Sequence, residues 1–138
     1  MRRGHDWARL RDVWLIAAAG WAAAIVVVGT LPTQPLVTAL APQREAATTM
    51  AGHFLEYCVL AILVSGALRA TQSKAGRALW PVAIAAMLGA LVEAVQAFLP
   101  YRDAQLGDAM VNLLGATVGA AAFGVVWAAR RSRRSRRA

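Results

Sequence analysis

The chain has 138 residues, 59% apolar and 16% charged, with a mean hydropathy of +0.49 and a formal net charge of +8. That balance excludes an ordinary soluble domain and a disordered chain, and points to an integral membrane protein. The single cysteine, Cys58, excludes an intrachain disulfide and offers no zinc or redox framework.

Four apolar runs approach the roughly 20 residues a helix needs to cross a bilayer: 13–31, 50–68, 80–99 and 108–129. None alternates apolar and polar residues as a membrane β-strand does, and Ala, Leu and Val crowd all four. The expected fold class is therefore all-α, a polytopic four-helix transmembrane domain over 13–129. Basic segments, 1–12 and 130–138, flank it.

The first run follows Arg2, Arg3, Arg9 and Arg11, so a signal peptide cut after Ala39-Leu40-Ala41 competes with a retained helix. The run is longer than the usual apolar core of about 7–15 residues. The cut would fall before Pro42, and removal would strand three helices, so the retained helix is preferred.

The second run opens with GHFLEY, placing His53, Glu56 and Tyr57 on one helical face. At 1.5 Å per residue, His53 lies about 5 Å and Glu56 about 9 Å inside the expected helix. The third run carries Glu93 and Gln96 about 9 Å and 5 Å from its far end. Pro100 is expected to end that helix, followed by Arg102 and Asp103. The fourth run has Asp108 at its mouth and Asn112 about 6 Å deeper. All these residues fall in one slab near the same membrane face.

Orientation follows from the basic residues. The N-terminus, the 69–77 connection and the tail hold 13 Lys and Arg, while Arg44 and Arg102 are the two in the other loops. Both termini and the 69–77 connection are thus expected in the cytoplasm, with the polar slab facing outward. Trp14, Trp80 and Trp127 fall at the cytoplasmic helix ends, where indole rings favour headgroups. The arginine-rich tail reads as a topology signal touching anionic lipid rather than as a nucleic-acid site, since no stacking aromatics accompany it.

On a helical wheel Asp108, Asn112, Gly115 and Gly119 share one stripe, and Ala85, Gly89, Glu93 and Gln96 another. Small-residue stripes let backbones approach, so helices 3 and 4 are expected to pack through them. Arg102 is expected to fold back toward Gln96 and Glu93. Each polar residue also has a structural explanation: Asp108 as an N-cap, Asn112 and Gln96 as interhelical hydrogen-bonding groups, His53 as a satisfied headgroup-level histidine. Glu56 and Glu93 resist that reading, because a carboxylate in hydrocarbon is costly unless paired, protonated or wetted.

The pattern formed by His53, Phe54, Glu56 and Tyr57, then Glu93 and Gln96, Pro100, Arg102, Asp108, Asn112, Gly115 and Gly119 resembles the VanZ-like family of small bacterial membrane proteins, over residues 29–126. Where that family often has an Asp-Lys pair shortly before the histidine, this chain has Thr49 and Met50. The resemblance implies a multi-pass protein of the bacterial cytoplasmic membrane, in a family linked to resistance to the glycopeptide teicoplanin. It supplies no reaction.

Three functions fit the residues. Recognition of an anionic lipid or glycolipid headgroup would use Arg102, the helix N-termini and the carboxylates. A membrane-embedded enzyme acting on envelope lipids would use Glu56 or Glu93 as general base, with His53 as base or metal ligand and Asp108 as a further ligand. A scaffold would use the cluster to lock helices together. No metal-ligand spacing and no Ser or Cys nucleophile appears among the polar residues, so no cofactor is expected and recognition ranks first. The expected partners are membrane lipids, a lipid or glycolipid headgroup, or a glycopeptide, and no nucleic acid.

Overall fold

A computed structural model describes residues 2–32, 45–69, 73–102 and 105–136. Ala39, Leu40, Ala41 and Asp103 therefore lie outside the described residues. The chain forms four helices: α1 (Arg2–Thr30), α2 (Glu45–Leu68), α3 (Lys74–Gln96) and α4 (Leu106–Ser135). Each contains a stretch long and apolar enough to cross a membrane: Arg9–Thr30, Thr48–Leu68, Ala75–Gln96 and Leu106–Arg133.

The helices are longer than the apolar runs because good helix formers continue them past the hydrophobic stretch. At the basic ends, α1 begins within the arginine-rich N-terminus and α4 continues through Arg130 and Arg131. Ser73 starts α3 as its N-cap, its hydroxyl accepting the Gly76 N–H at 3.1 Å. The far end of α3 differs from the expected boundary. Regular helix stops at Gln96, and the N–H groups of Phe98 and Leu99 bond to Val95 and Gln96 carbonyls in tighter turns. Pro100 thus sits beyond an end already made, and Gln96 is the last helical residue.

The interior is built largely on α2. Within an 18-residue apolar stretch of α2 39% of residues are buried, against 6% in that of α1, which makes α2 the axis of the bundle and α1 its outer member. Tyr57, Leu60, Ala61 and Val64 of α2 meet Ala18 and Ile25 of α1, Ala85 and Val92 of α3 and Ala116 of α4. Ala61, Ala85 and Ala116 have no exposed surface, so the helices approach through small side chains rather than through large ones.

The expected pairing of α3 with the α4 stripe holds at its polar end, where Gly89 lies against Asn112, and is corrected for its glycines. A Cβ added at Gly115 would run into the backbone carbonyl of Phe54, and one at Gly119 into that of Cys58. The stripe therefore seats α2, the helix against which α4 packs most extensively. A similar close approach puts the Trp14 indole of α1 directly over Gly66 of α2. Trp14 also meets Phe123 of α4 edge to face, with ring centroids 6.0 Å apart.

Outside, the bundle is apolar. Ile16, Met87 and Val125 each expose 70% or more of their surface. A helix set with its small and polar residues inside and its large apolar ones outside matches a hydrocarbon surround, since exposed apolar patches of this extent are rare on soluble monomers.

Candidate functional site

The packing of α2 on α4 decides the geometry at one end of the bundle. Because Gly115 holds the Phe54 backbone close, the neighbouring His53 lies beside the first turn of α4. Its Nε2 is 3.6 Å from Oδ2 of Asp108, and the two side chains are only 12% and 14% exposed. Asp108 is not the N-cap that the sequence suggested. The helix begins at Leu106, and the Asp108 N–H bonds to the carbonyl of Gln105 at 3.0 Å. The carboxylate lies in the first turn, where the helix dipole favours an anion, and there it meets His53.

Glu93 joins the same corner from α3. Its Oε2 accepts the backbone N–H of Gln105 at 3.2 Å, so the carboxylate of one helix caps the start of another. Its second oxygen, Oε1, is buried with no hydrogen-bond partner among the described residues. One turn below, Gly89 makes room: a Cβ there would lie 3.2 Å from the Tyr57 ring and 3.3 Å from Asn112 Nδ2. Tyr57 and Asn112 are 1% and 2% exposed, side by side against the Gly89 backbone.

The arrangement is short of partners. Tyr57 Oη, Asn112 Oδ1, His53 Nδ1 and Glu93 Oε1 are all buried, and none has a hydrogen-bond partner among the described residues. A buried polar group left unsatisfied costs about 1–3 kcal/mol, so four on three adjoining helices are an unusual concentration. Charges surround them. His53 and Arg102 lie within Coulombic reach of both Glu56 and Glu93, and Asp108 within reach of Glu93. The carboxylates of Glu56 and Glu93 in turn act on Tyr57.

The remaining predicted residues take up a different task. Gln96 is 3% exposed and donates through Nε2 to the Gly29 carbonyl at 2.8 Å. Arg102, expected to fold toward Gln96 and Glu93, directs Nη2 to the carbonyls of Val28 and Leu31, at 3.1 and 2.7 Å. The Tyr101 hydroxyl donates to the Thr30 carbonyl at 3.0 Å. Together these side chains satisfy the carbonyls that the end of α1 leaves without helical donors. Gln96 and Arg102 thus fasten α1 to the end of α3, while the charge of Arg102 still acts on the two glutamates.

Sequence reasoning passed over Tyr101, Gln105 and Trp21. Trp21 donates its indole N–H to the Glu56 carbonyl at 2.9 Å, binding α1 to α2 beside the polar corner. Its signal was available, since an indole N–H inside an apolar run needs an acceptor. Gln105 acts through its backbone N–H, which no residue type reveals. Among the described residues, no three His, Cys, Asp or Glu side chains gather closely enough to hold a metal ion. Comparison of the chain with protein-family models, with curated proteins and with solved structures returned no match.

Proposed function

We propose that this is a VanZ-like protein of the bacterial cytoplasmic membrane, with both termini in the cytoplasm, that recognises an anionic envelope-lipid or glycolipid headgroup at an outward-facing polar site. The observation that carries this reading is the group of buried polar atoms on Tyr57, Asn112, His53 and Glu93 that have no partner among the described residues. They combine acceptors with groups that can donate, which suits hydroxyls of a glycerol or sugar more than a bare phosphate. Arg102 supplies positive charge near Glu56 and Glu93 for the anionic part of the headgroup. The apolar outer face supports the membrane setting, and the asymmetry of Lys and Arg supports the orientation. The link to teicoplanin resistance belongs to the family resemblance and carries no weight in choosing the ligand.

Ligand-induced stabilisation tests the reading. The protein in detergent is heated with a panel of bacterial phospholipids, polyprenyl phosphates and glycolipids. A true ligand at 100 times its Kd adds about 2.7 kcal/mol. Glu93→Gln retains an oxygen able to accept the Gln105 N–H, so it is expected to fold with near-normal stability and to lose the ligand response. Absence of any response in the unmodified protein sinks the headgroup reading, as does a full response in Glu93→Gln.

The His53–Asp108 pair favours an enzyme as the second reading. A carboxylate at one ring nitrogen orients an imidazole for acid–base work. Turnover of a bound lipid by the unmodified protein, abolished in His53→Gln, would put that reading first.

A further inference from the structure

At the opposite end of the bundle a groove of about 490 Å³ runs between α3 and α4, with Arg69 at the end of α2 on its rim. Its size is that of an ordinary small-molecule site, about 300–1,000 Å³. It has two parts. The floor, from Thr117 to Gly124, consists of small and apolar side chains of α4, joined by Val82 of α3. The mouth holds Arg69, Arg77 and Arg131 around Trp127, and none of the described lining residues is acidic. The guanidinium carbons of Arg77 and Arg131 lie 5.6 and 5.7 Å from the Trp127 ring centroid. Two guanidinium groups held at one ring by cation–π attraction make the mouth of the groove positive, which favours an anion there.

Length fits as well as charge. From Thr117 to Arg131 the groove follows about 21 Å of helix. One leaflet with its headgroup region is about 20–22 Å, half of a whole bilayer. Trp127 then sits at headgroup level, where indole rings concentrate.

We propose that the groove binds one anionic phospholipid of the adjoining leaflet, its phosphate against Arg77 and Arg131 and an acyl chain along the floor from Thr117 to Gly124. The inference rests on the helices being membrane spans and uses no residue of the polar site, so it stands or falls apart from the ligand proposed there. The lipid fills the open wedge between α3 and α4 and fastens together helix ends that are rich in like charge.

The test uses the full chain in detergent, with bound lipid counted by native mass spectrometry and unfolding followed by heating. The probes are phosphatidylglycerol, phosphatidylcholine with the same acyl chains, and glycerol phosphate. Phosphatidylglycerol is expected to be retained and to raise Tm, and the other two are not. Arg77→Gln with Arg131→Gln should weaken that binding about 25-fold, at roughly five-fold per charge. Gly124→Leu narrows the groove while leaving the arginines in place, and its Cβ has no atom of the described residues within 4 Å to meet. It should abolish retention in a protein that still unfolds cooperatively. Both variants leave the polar site and the other tail arginines in place, so their loss of binding assigns the lipid to the groove. Equal binding of phosphatidylcholine, an equal response to glycerol phosphate, or unchanged phosphatidylglycerol binding in the two variants would each overturn the proposal.

Discussion

Tyr57 separates what the polar corner does for folding from what it does for a ligand. The ring is packed, yet its hydroxyl has no partner among the described residues, so there the oxygen contributes desolvation cost and no bond. Tyr57→Phe should therefore leave thermal stability in detergent unchanged or raise it by up to about 1–3 kcal/mol, while reducing any headgroup-dependent stabilisation. A clear fall in Tm would show that the hydroxyl has a structural bond and would remove it from the site. Gln96 should behave in the opposite sense. Its amide satisfies the Gly29 carbonyl across 67 residues of sequence, so Gln96→Leu should destabilise by about 1–3 kcal/mol whether or not lipid is present. Both residues are polar side chains in apolar runs, and nothing in their local sequence separates them. Only the position of a carbonyl at the end of α1 does.

Among the helices, the glycines of α4 give a graded test. Gly115 and Gly119 lie against the backbone of α2, which cannot rotate away as a side chain can. Alanine at either position must push the helices apart and is expected to cost about 1–3 kcal/mol, as overpacking does. Gly124→Ala meets nothing within 4 Å and should be neutral or slightly stabilising, since alanine is the better helix former. Thermal unfolding of the three variants would check the order, and equal effects at all three positions would contradict the α2–α4 contact. The same contact explains why α3 meets only the polar half of that stripe, Gly89 lying against Asn112, while Gly115 and Gly119 go to α2. A stripe of small residues states that some backbone comes close, and α2, with Cys58, Ala61 and Ser65 at helical spacing, offers a facing surface as suitable as that of α3.

For the molecule as a whole, the decisive expectation is topology. With Cys58 replaced by alanine, a cysteine at Gln105 should react with a membrane-impermeant thiol reagent in intact cells, and one at Ser73 should not. Both positions are exposed and lie at opposite ends of α3 and α4. Labelling at Ser73 alone would place the polar site in the cytoplasm and invert the proposed orientation. Neither position labelling before cells are opened would contradict a bilayer-spanning arrangement with the site outside. The outlying position of α1 adds a further consequence. It is held at one end by Trp14 on Gly66 and at the other by bonds from Gln96, Tyr101 and Arg102, with Trp21 between. Loss of the capping bonds at the polar end should therefore loosen α1 before the rest of the bundle, seen as faster proteolysis near Leu31 in Arg102→Ala.

What the sequence determines here is what hydropathy and helical period can encode: four helices long and apolar enough to span, their approximate limits, and a set of polar residues at matched depth. Those properties are local, each read within one run of about 20 residues. The tertiary structure alone decides how the helices turn toward one another, and with that every pairing. It sets α2 rather than α3 in the glycine stripe and gives Asp108 to His53 rather than to an N-cap. It turns Arg102 and Gln96 to the end of α1, and it gathers Tyr57 and Asn112 at Gly89. The groove beneath Trp127 is of the same kind, made by two helices neither of which carries its outline alone. The physical reason is that small-residue packing is permissive. Several rotations of a helix bury comparable surface, and the choice among them rests on backbone fit and on carbonyls far away in sequence.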